Sequence, residues 1–321
     1  TTANILDTIP PALLDRLEVI HFPGYTQDEK FAIAETYLTK KQKEAHGLNR
    51  FAVSFSHDSI KTIIDRYTRE AGVRELERQV ATVFRKIARE IAEKITKDNM
   101  TPVGIKPIII QPIDIAKHLG PYKYSSYMAE AEDTVGMVTG LAWTQAGGEI
   151  LFIEVSIMPG KGRLSLTGHL GDVMKESGQA ALSYVRTRWE KFKLKKDFYE
   201  SIDIHIHVPE GAVPKDGPSA GVAITLALIS ALTDMLVRKD VAMTGEVTLR
   251  GRVLEIGGVK EKVIAAHRAG IKTVILPKDN EKDLVELPKQ TLDELKFVFV
   301  RHIDEVLSVA LKERKKKKVK K

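Results

Sequence analysis

Cysteine is missing from all 321 residues. That excludes disulfides, thiol nucleophiles and cysteine-bound metals, and an intracellular, cytoplasmic location is expected. No apolar run approaches the roughly 18 residues that span a bilayer. The longest, Val222–Leu232, is about half a span and reads as a core helix. No basic stretch with an apolar region behind it opens the chain, so no signal peptide is expected. The chain starts Thr1-Thr2-Ala3-Asn4 without an initiator Met, and a fragment of a longer protein is expected. Only four asparagines are present, which with the missing cysteine gives a weak indication of a thermophilic source.

Charge is present but badly distributed. The net charge of +7 invites a nucleic-acid reading, yet Lys312–Lys321, with eight basic residues and one acid, carries all of the excess. The body is neutral, and such a tail reads as a disordered, solvated terminus, with weak DNA or polyanion contact as the alternative. Hydrophobic content of 43% and charged content of 29% suit a globular protein, and the length allows two domains.

The most informative stretch is Pro214-Lys215-Asp216-Gly217-Pro218-Ser219-Ala220-Gly221. Before it, Ile202, Ile204, Ile206 and Val208 alternate with Asp203, His205 and His207, the period of a strand. After it comes the apolar, Ala/Leu-rich helix. Ser219 therefore stands where a rigid loop enters a helix, near free N–H groups able to hold an oxyanion. A serine needs a proton acceptor. Downstream, Gly257-Gly258-Val259-Lys260-Glu261-Lys262 opens a second apolar helix, and a lysine at its start is a candidate base if burial lowers its pKa from about 10.4. Lys260 and Lys262 compete for that role.

These two blocks, with Thr244-Gly245-Glu246-Val247-Thr248-Leu249-Arg250-Gly251 between them, resemble the proteolytic domain of the Lon family of ATP-dependent proteases in order and spacing. The resemblance implies Ser219 as nucleophile and Lys262 as base, with Asp216 and Thr244 shaping the site and Glu246 closing a polar network nearby. Asp216 either pairs with Lys262 in a resting state or holds the loop. Thr244 would orient the lysine by a hydrogen bond. Trp143, near a hairpin turn, is a candidate for a substrate groove or for ordinary edge packing.

The N-terminal third resembles the neighbouring parts of the same family. Asn4 matches a sensor-1 residue, Arg16 an arginine finger and Arg74, in Gly72-Val73-Arg74-Glu75, a sensor-2 arginine. The plainer reading of Arg74 is a helix-start arginine paired with Glu75 or Glu77. No phosphate-binding Gly-x-x-x-x-Gly-Lys-Ser/Thr motif occurs, so this chain is not expected to hydrolyse ATP. Peptide hydrolysis would need no cofactor. ATP and Mg would serve the intact protein, which the resemblance implies is a homohexameric ring acting on unfolded or damaged proteins, with no membrane association.

Local signals fill in the fold. Thr26-Gln27-Asp28-Glu29 is a capping box for a helix running to about Lys43, and Ser56 starts another. Leu76, Val80, Val83, Phe84, Ile87, Ile91 and Ile95 form one helical stripe. Prolines bracket Ile108–Ile110, and residues 114–119 suit a turn of helix. From Val135 the texture becomes strands and glycine turns, with a hairpin of Gly136–Thr144 and Glu149–Met158. The expected architecture is an all-α small domain of the AAA+ type with the end of its core over 1–121, an α/β (α+β, mixed-sheet) peptidase domain over 122–312 and a basic tail over 313–321.

Two rivals compete. Gly217-Pro218-Ser219-Ala220-Gly221 also fits the elbow of α/β-hydrolases, but that fold needs a downstream histidine in a strand-end loop, and neither His267 nor His302 suits it. A non-catalytic oligomerisation or polyanion-binding module on the same fold would have no use for both Ser219 and Lys262. His205 and His207 lack a third ligand nearby and read as structural or near-site residues rather than a metal pair.

Overall fold

A computed structural model of the chain describes residues 9–20, 24–97, 106–124, 132–144, 147–209 and 215–313; Asn4, the turn residues 145–146 and the tail beyond 313 lie outside them. The first module is helical: α1 (Pro11–Leu14), α2 (Gln27–Ile33), a π-turn (Ala34–Leu38) and α3 (Thr39–Ala45) lead to β1 (Val53–Phe55), α4 (His57–Tyr67), α5 (Arg74–Lys97), β2 (Ile108–Ile110) and α6 (Pro112–Leu119). The capping box forms as the sequence suggests. Thr26 Oγ1 accepts from the Glu29 N–H at 3.2 Å, and the Thr26 N–H donates to Glu29 Oε2 at 2.7 Å. The α5 stripe packs with Ile60, Ile63 and Tyr67 of α4 into one core. Helices dominate, with one addition: β1 and β2 pair in parallel, Val53 opposite Ile108.

The second module contains β3 (Thr134–Val135), β4 (Met137–Thr144), β5 (Gly147–Pro159), β6 (Leu164–Thr167), α7 (Asp172–Thr187), β7 (Ile202–His207), α8 (Gly221–Thr233), β8 (Leu236–Val237), β9 (Val241–Met243), β10 (Glu246–Val247), β11 (Val253–Leu254), α9 (Val259–Arg268), β12 (Thr273–Pro277), α10 (Lys289–Glu294), β13 (Lys296–Val300), α11 (Ile303–Ala310) and β14 (Leu311–Lys312). A seven-stranded sheet runs β13-β12-β9-β4-β5-β7-β6. Its β13-β12-β9-β4 half is parallel, while β5 pairs antiparallel with both β4 and β7. This mixed sheet carries helices on both faces and is an α/β fold.

Residue parity explains the two faces. Val138 of β4 with Ile153 and Val155 of β5 pack under α7, α8 and α11. Leu141 of β4, Ala242 of β9 and Val274 and Leu276 of β12 pack under α9. Helix α8 is apolar all round, and every residue from Gly221 to Ser230 is buried, so it forms the centre of its layer. Among the described residues no helix is long and apolar enough to cross a membrane.

Candidate active site

Ser219 lies half-buried in a short 3₁₀ turn, Pro218–Ala220, directly ahead of α8. Gly217 enters the turn at φ 123°, a conformation that any side chain would strain. The turn is clamped to the end of β9. The Ser219 carbonyl accepts from the Gly245 N–H at 2.8 Å and from the Thr244 hydroxyl at 3.2 Å, and the Val222 N–H donates to the Gly245 carbonyl at 3.0 Å. Thr244 itself is fully buried and donates its N–H to the Ile275 carbonyl. Its hydroxyl thus fixes the backbone of Ser219, whereas the sequence suggested an orienting bond to the lysine.

Helix α9 brings the other candidate. Gly258 starts it in the left-handed region at φ 69°, and Lys262 is buried one turn on, at 3% exposure. Burial draws its ammonium pKa down to about 8, with the Glu261 charge pulling the other way. Lys260 is half-buried and lines a cavity against the helical module instead. Two positions are about 200° on a helix, so the two lysines point to different surroundings.

The Ser219 turn and α9 both adjoin β4, one from each side of the sheet. The Ser219 turn is bonded to Thr244 and Gly245 just past the end of β9, and the start of α9 packs on Trp143 near the end of β4, the side of the sheet where open α/β folds place their ligands. Among the described residues neither side chain hydrogen-bonds the other. Such contacts are commonly long before substrate arrives. Trp143, near the end of β4, is 58% exposed and packs beside Gly258, so the indole forms part of the rim next to the start of α9.

Asp216 holds the loop. Its Oδ1 accepts from the Met174 N–H at 3.0 Å and from the Gly217 N–H at 2.9 Å. Helix α7 has no side-chain cap of its own, since Gly171 occupies that position, and Asp216 satisfies one of its free N–H groups from across the chain. Among the described residues Asp216 makes no pair with Lys262. Asp216→Ala is expected to lower stability by about 1 kcal/mol, the usual worth of an N-terminal cap, as read by urea denaturation; an unchanged midpoint would show the bond to be idle.

The remaining candidates separate. Glu246 heads β10 opposite Leu254, and its carboxylate makes no hydrogen bond or ion pair among the described residues, so the expected polar network is not formed. Arg74 opens α5 on the exposed surface with no ion pair among the described residues, while Glu75 binds Gln79 and Glu77 binds Lys41. Its plainer reading as a partner of Glu75 or Glu77 is therefore not realised. Arg16 is exposed just after α1, far in sequence from both modules' cores. His205 and His207 both hydrogen-bond Thr167 Oγ1, at 2.8 and 2.7 Å. Among the described residues no three metal-ligating side chains gather.

Sequence reasoning missed Gly148. A Cβ there would land on the Glu261 carbonyl and 3.0 Å from the Lys262 backbone nitrogen, so the first turn of α9 rests directly on the β5 backbone. The doublet Gly147-Gly148 was the available signal, but it reads equally well as an ordinary hairpin turn.

Comparison with known proteins follows the same division. Residues 109–313 match the Lon protease (S16) C-terminal proteolytic domain, and residues 44–100 match the Lon protease AAA+ ATPase lid domain. The chain is 53% identical over 312 residues to Lon protease of Dictyoglomus thermophilum, covering 97% of this chain and 38% of that protein. It is 56% identical over 310 residues to Lon protease 1 of Myxococcus xanthus, covering 97% and 37%. To Lon protease of Brevibacillus choshinensis it is 54% identical over 313 residues, covering 97% and 39%. The chain thus spans well under half the length of these relatives. With a lid-domain match followed by a proteolytic-domain match, and 53–56% identity across nearly its whole length to two of those proteins, the chain belongs to the Lon protease (S16) family.

Proposed function

We propose that this chain is the lid and proteolytic part of a Lon-type serine endopeptidase, with Ser219 as nucleophile and Lys262 as general base. The carrying observation is the burial of Lys262 at the start of α9, which takes its pKa to about 8. At pH 7.4 a lysine of pKa about 8 is about one-fifth neutral, against about one in a thousand for a free one. Neutral Lys262 takes the proton from Ser219 Oγ as that oxygen attacks a peptide carbonyl. The C–N bond breaks as the proton passes to the leaving amine, and an acyl-enzyme remains. Water deprotonated by the same amine then releases the acid product. Backbone N–H groups at the Ser219 turn hold the developing oxyanion, and Thr244 and Asp216 keep the turn in place. Trp143 lines the approach for substrate.

The domain reading is a helical module over 1–121, the peptidase module over 122–312 and a basic tail over 313–321. In the whole protein Arg74, Arg16 and Asn4 would face the nucleotide, ATP with Mg would drive unfolding, and six copies would enclose the site in the cytoplasm. The tail is the one segment suited to weak polyanion or DNA contact. The test is ATP-free turnover of a fluorogenic peptide by the chain beside Ser219→Ala. We expect the variant to lose at least about a thousandfold while keeping its circular dichroism spectrum. Equal turnover by a folded Ser219→Ala protein would remove the assignment.

A further inference from the structure

The helical module reaches the strand end that supports Lys262. Arg69, in the segment between α4 and α5, pairs through Nε with Glu149 Oε1 at 3.0 Å. Both side chains are largely shielded, at 27% and 13% exposure, so this pair is not an ordinary surface contact of negligible worth. Arg69 also lies over the Tyr124 ring, its guanidinium carbon 5.5 Å from the centroid. Glu149 directly follows Gly148, the residue on whose backbone the Glu261–Lys262 turn of α9 rests.

The Arg69 end is equally well anchored. Glu70 Oε1 accepts from the Leu76 N–H at 2.8 Å, capping the first turn of α5, the helix that Arg74 opens. The Glu70 carbonyl accepts from the buried Lys30 Nζ, and the Ala71 carbonyl accepts from the Tyr25 N–H at 2.9 Å. A cavity of about 330 Å³ separates the two modules around this contact, lined by Lys30, Asp65, Arg69, Glu149, Glu261 and Arg268 among others. The ion pair spans a gap rather than a packed surface, so movement of the α5 start reaches the peptidase module through it.

From these contacts we infer that Arg69 and Glu149 are positioning residues for the proposed reaction: their ion pair straps the helical module to the start of β5 and thereby fixes the first turn of α9 and the depth at which Lys262 is buried. The inference rests on the Ser219–Lys262 reading for its effect on turnover, but its effect on Lys262 itself does not. Glu261 is the charge that acts on Lys262 beside burial, and Arg69→Ala and Glu149→Gln remove charges of opposite sign, so a rise in both variants reports burial rather than direct electrostatics. Release of the strap loosens α9 against Gly148 and lets water reach the amine. Its titration midpoint then rises, and less of it is neutral at pH 7.4.

The test uses the full chain with Arg69→Ala, the near-isosteric Glu149→Gln and the reciprocal pair Arg69→Glu with Glu149→Arg. Competitive acetylation with acetic anhydride across pH, read by peptide mass spectrometry, gives the midpoint of Lys262 in each. In both single variants we expect a rise of about one unit, a roughly tenfold fall in kcat at pH 7.4 with KM within twofold, and convergence with the parent above about pH 10. The reciprocal pair should restore the parental midpoint and most of kcat. A parental Lys262 midpoint in folded Glu149→Gln protein would overturn the strap. Failure of the Ser–Lys reading is separately visible, because Ser219→Ala would then turn over normally whatever the midpoint shows.

Discussion

Lys262→Met is expected to abolish peptide hydrolysis, by at least about a thousandfold, and at the same time to stabilise the protein. Both effects have one origin. Lys262 is held at 3% exposure, where burial lowers its pKa from 10.5 to about 8 despite the nearby Glu261 charge. Below pH 8 the folded protein must carry a desolvated ammonium that the unfolded chain carries in water. The difference between the two pKa values corresponds to roughly 3 kcal/mol. Methionine has similar length, flexibility and no charge, so it fills the same space without that cost.

The pH dependence has a definite sign. Because the folded-state pKa is lowered, the unfolded chain binds more protons between about pH 8 and 10.5, and stability of the parent rises through that window. The advantage of Lys262→Met should therefore be largest near neutral pH and vanish by about pH 10.5. Turnover by the parent should climb through pH 8 with the neutral amine, without an inflection near ~6.5 that would mark a histidine base. Urea denaturation of both proteins at pH 7 and 10.5, together with a pH–rate profile, measures all of this. A variant that is less stable at pH 7, or that still turns over, would contradict the role of burial.

Gly148→Ala is expected to damage both the stability and the activity of the sheet module. The added carbon falls on the Glu261 carbonyl, backbone against backbone, so no side-chain rotation can relieve it. Strand β5 cannot yield easily, because it pairs with β4 over eight positions from Thr144–Gly147 to Met137–Glu154 and with β7 farther on. Helix α9 must lift instead, against a core containing Val259, Val263 and Ala266. We expect a stability loss of about 3 kcal/mol. Displacing the Lys262 backbone by about 1 Å should also lower kcat roughly 100-fold. Thermal unfolding and peptide turnover on the same preparation test both, and parental values for the two would show that α9 does not rest on this glycine.

Much of the fold could be read locally. The Thr26–Glu29 cap, the Ser56 start of α4, the α5 stripe, the Ile202–His207 alternation and the apolar α8 each depend on residues within a few positions of one another. Shorter elements escaped. The strand Val53–Phe55 and the three-stranded sheet β14-β8-β3 consist of two or three residues each, too few for a period to show, and they exist because distant segments lie alongside.

The candidate site divides in the same way. The amino-acid sequence by itself determined the residue blocks around Ser219 and Lys262 and their places at two helix starts, since loop-to-helix transitions are written in glycine, proline and apolar periodicity. Only the tertiary structure decided that Lys262 is buried while Lys260 faces the helical module, that Asp216 caps α7, and that Thr244 binds the Ser219 backbone. It alone brought Arg69 to Glu149, 80 positions apart in the chain. The physical reason is that burial, desolvation and ion pairing are properties of what surrounds a side chain, and those surroundings come from segments that local sequence does not specify.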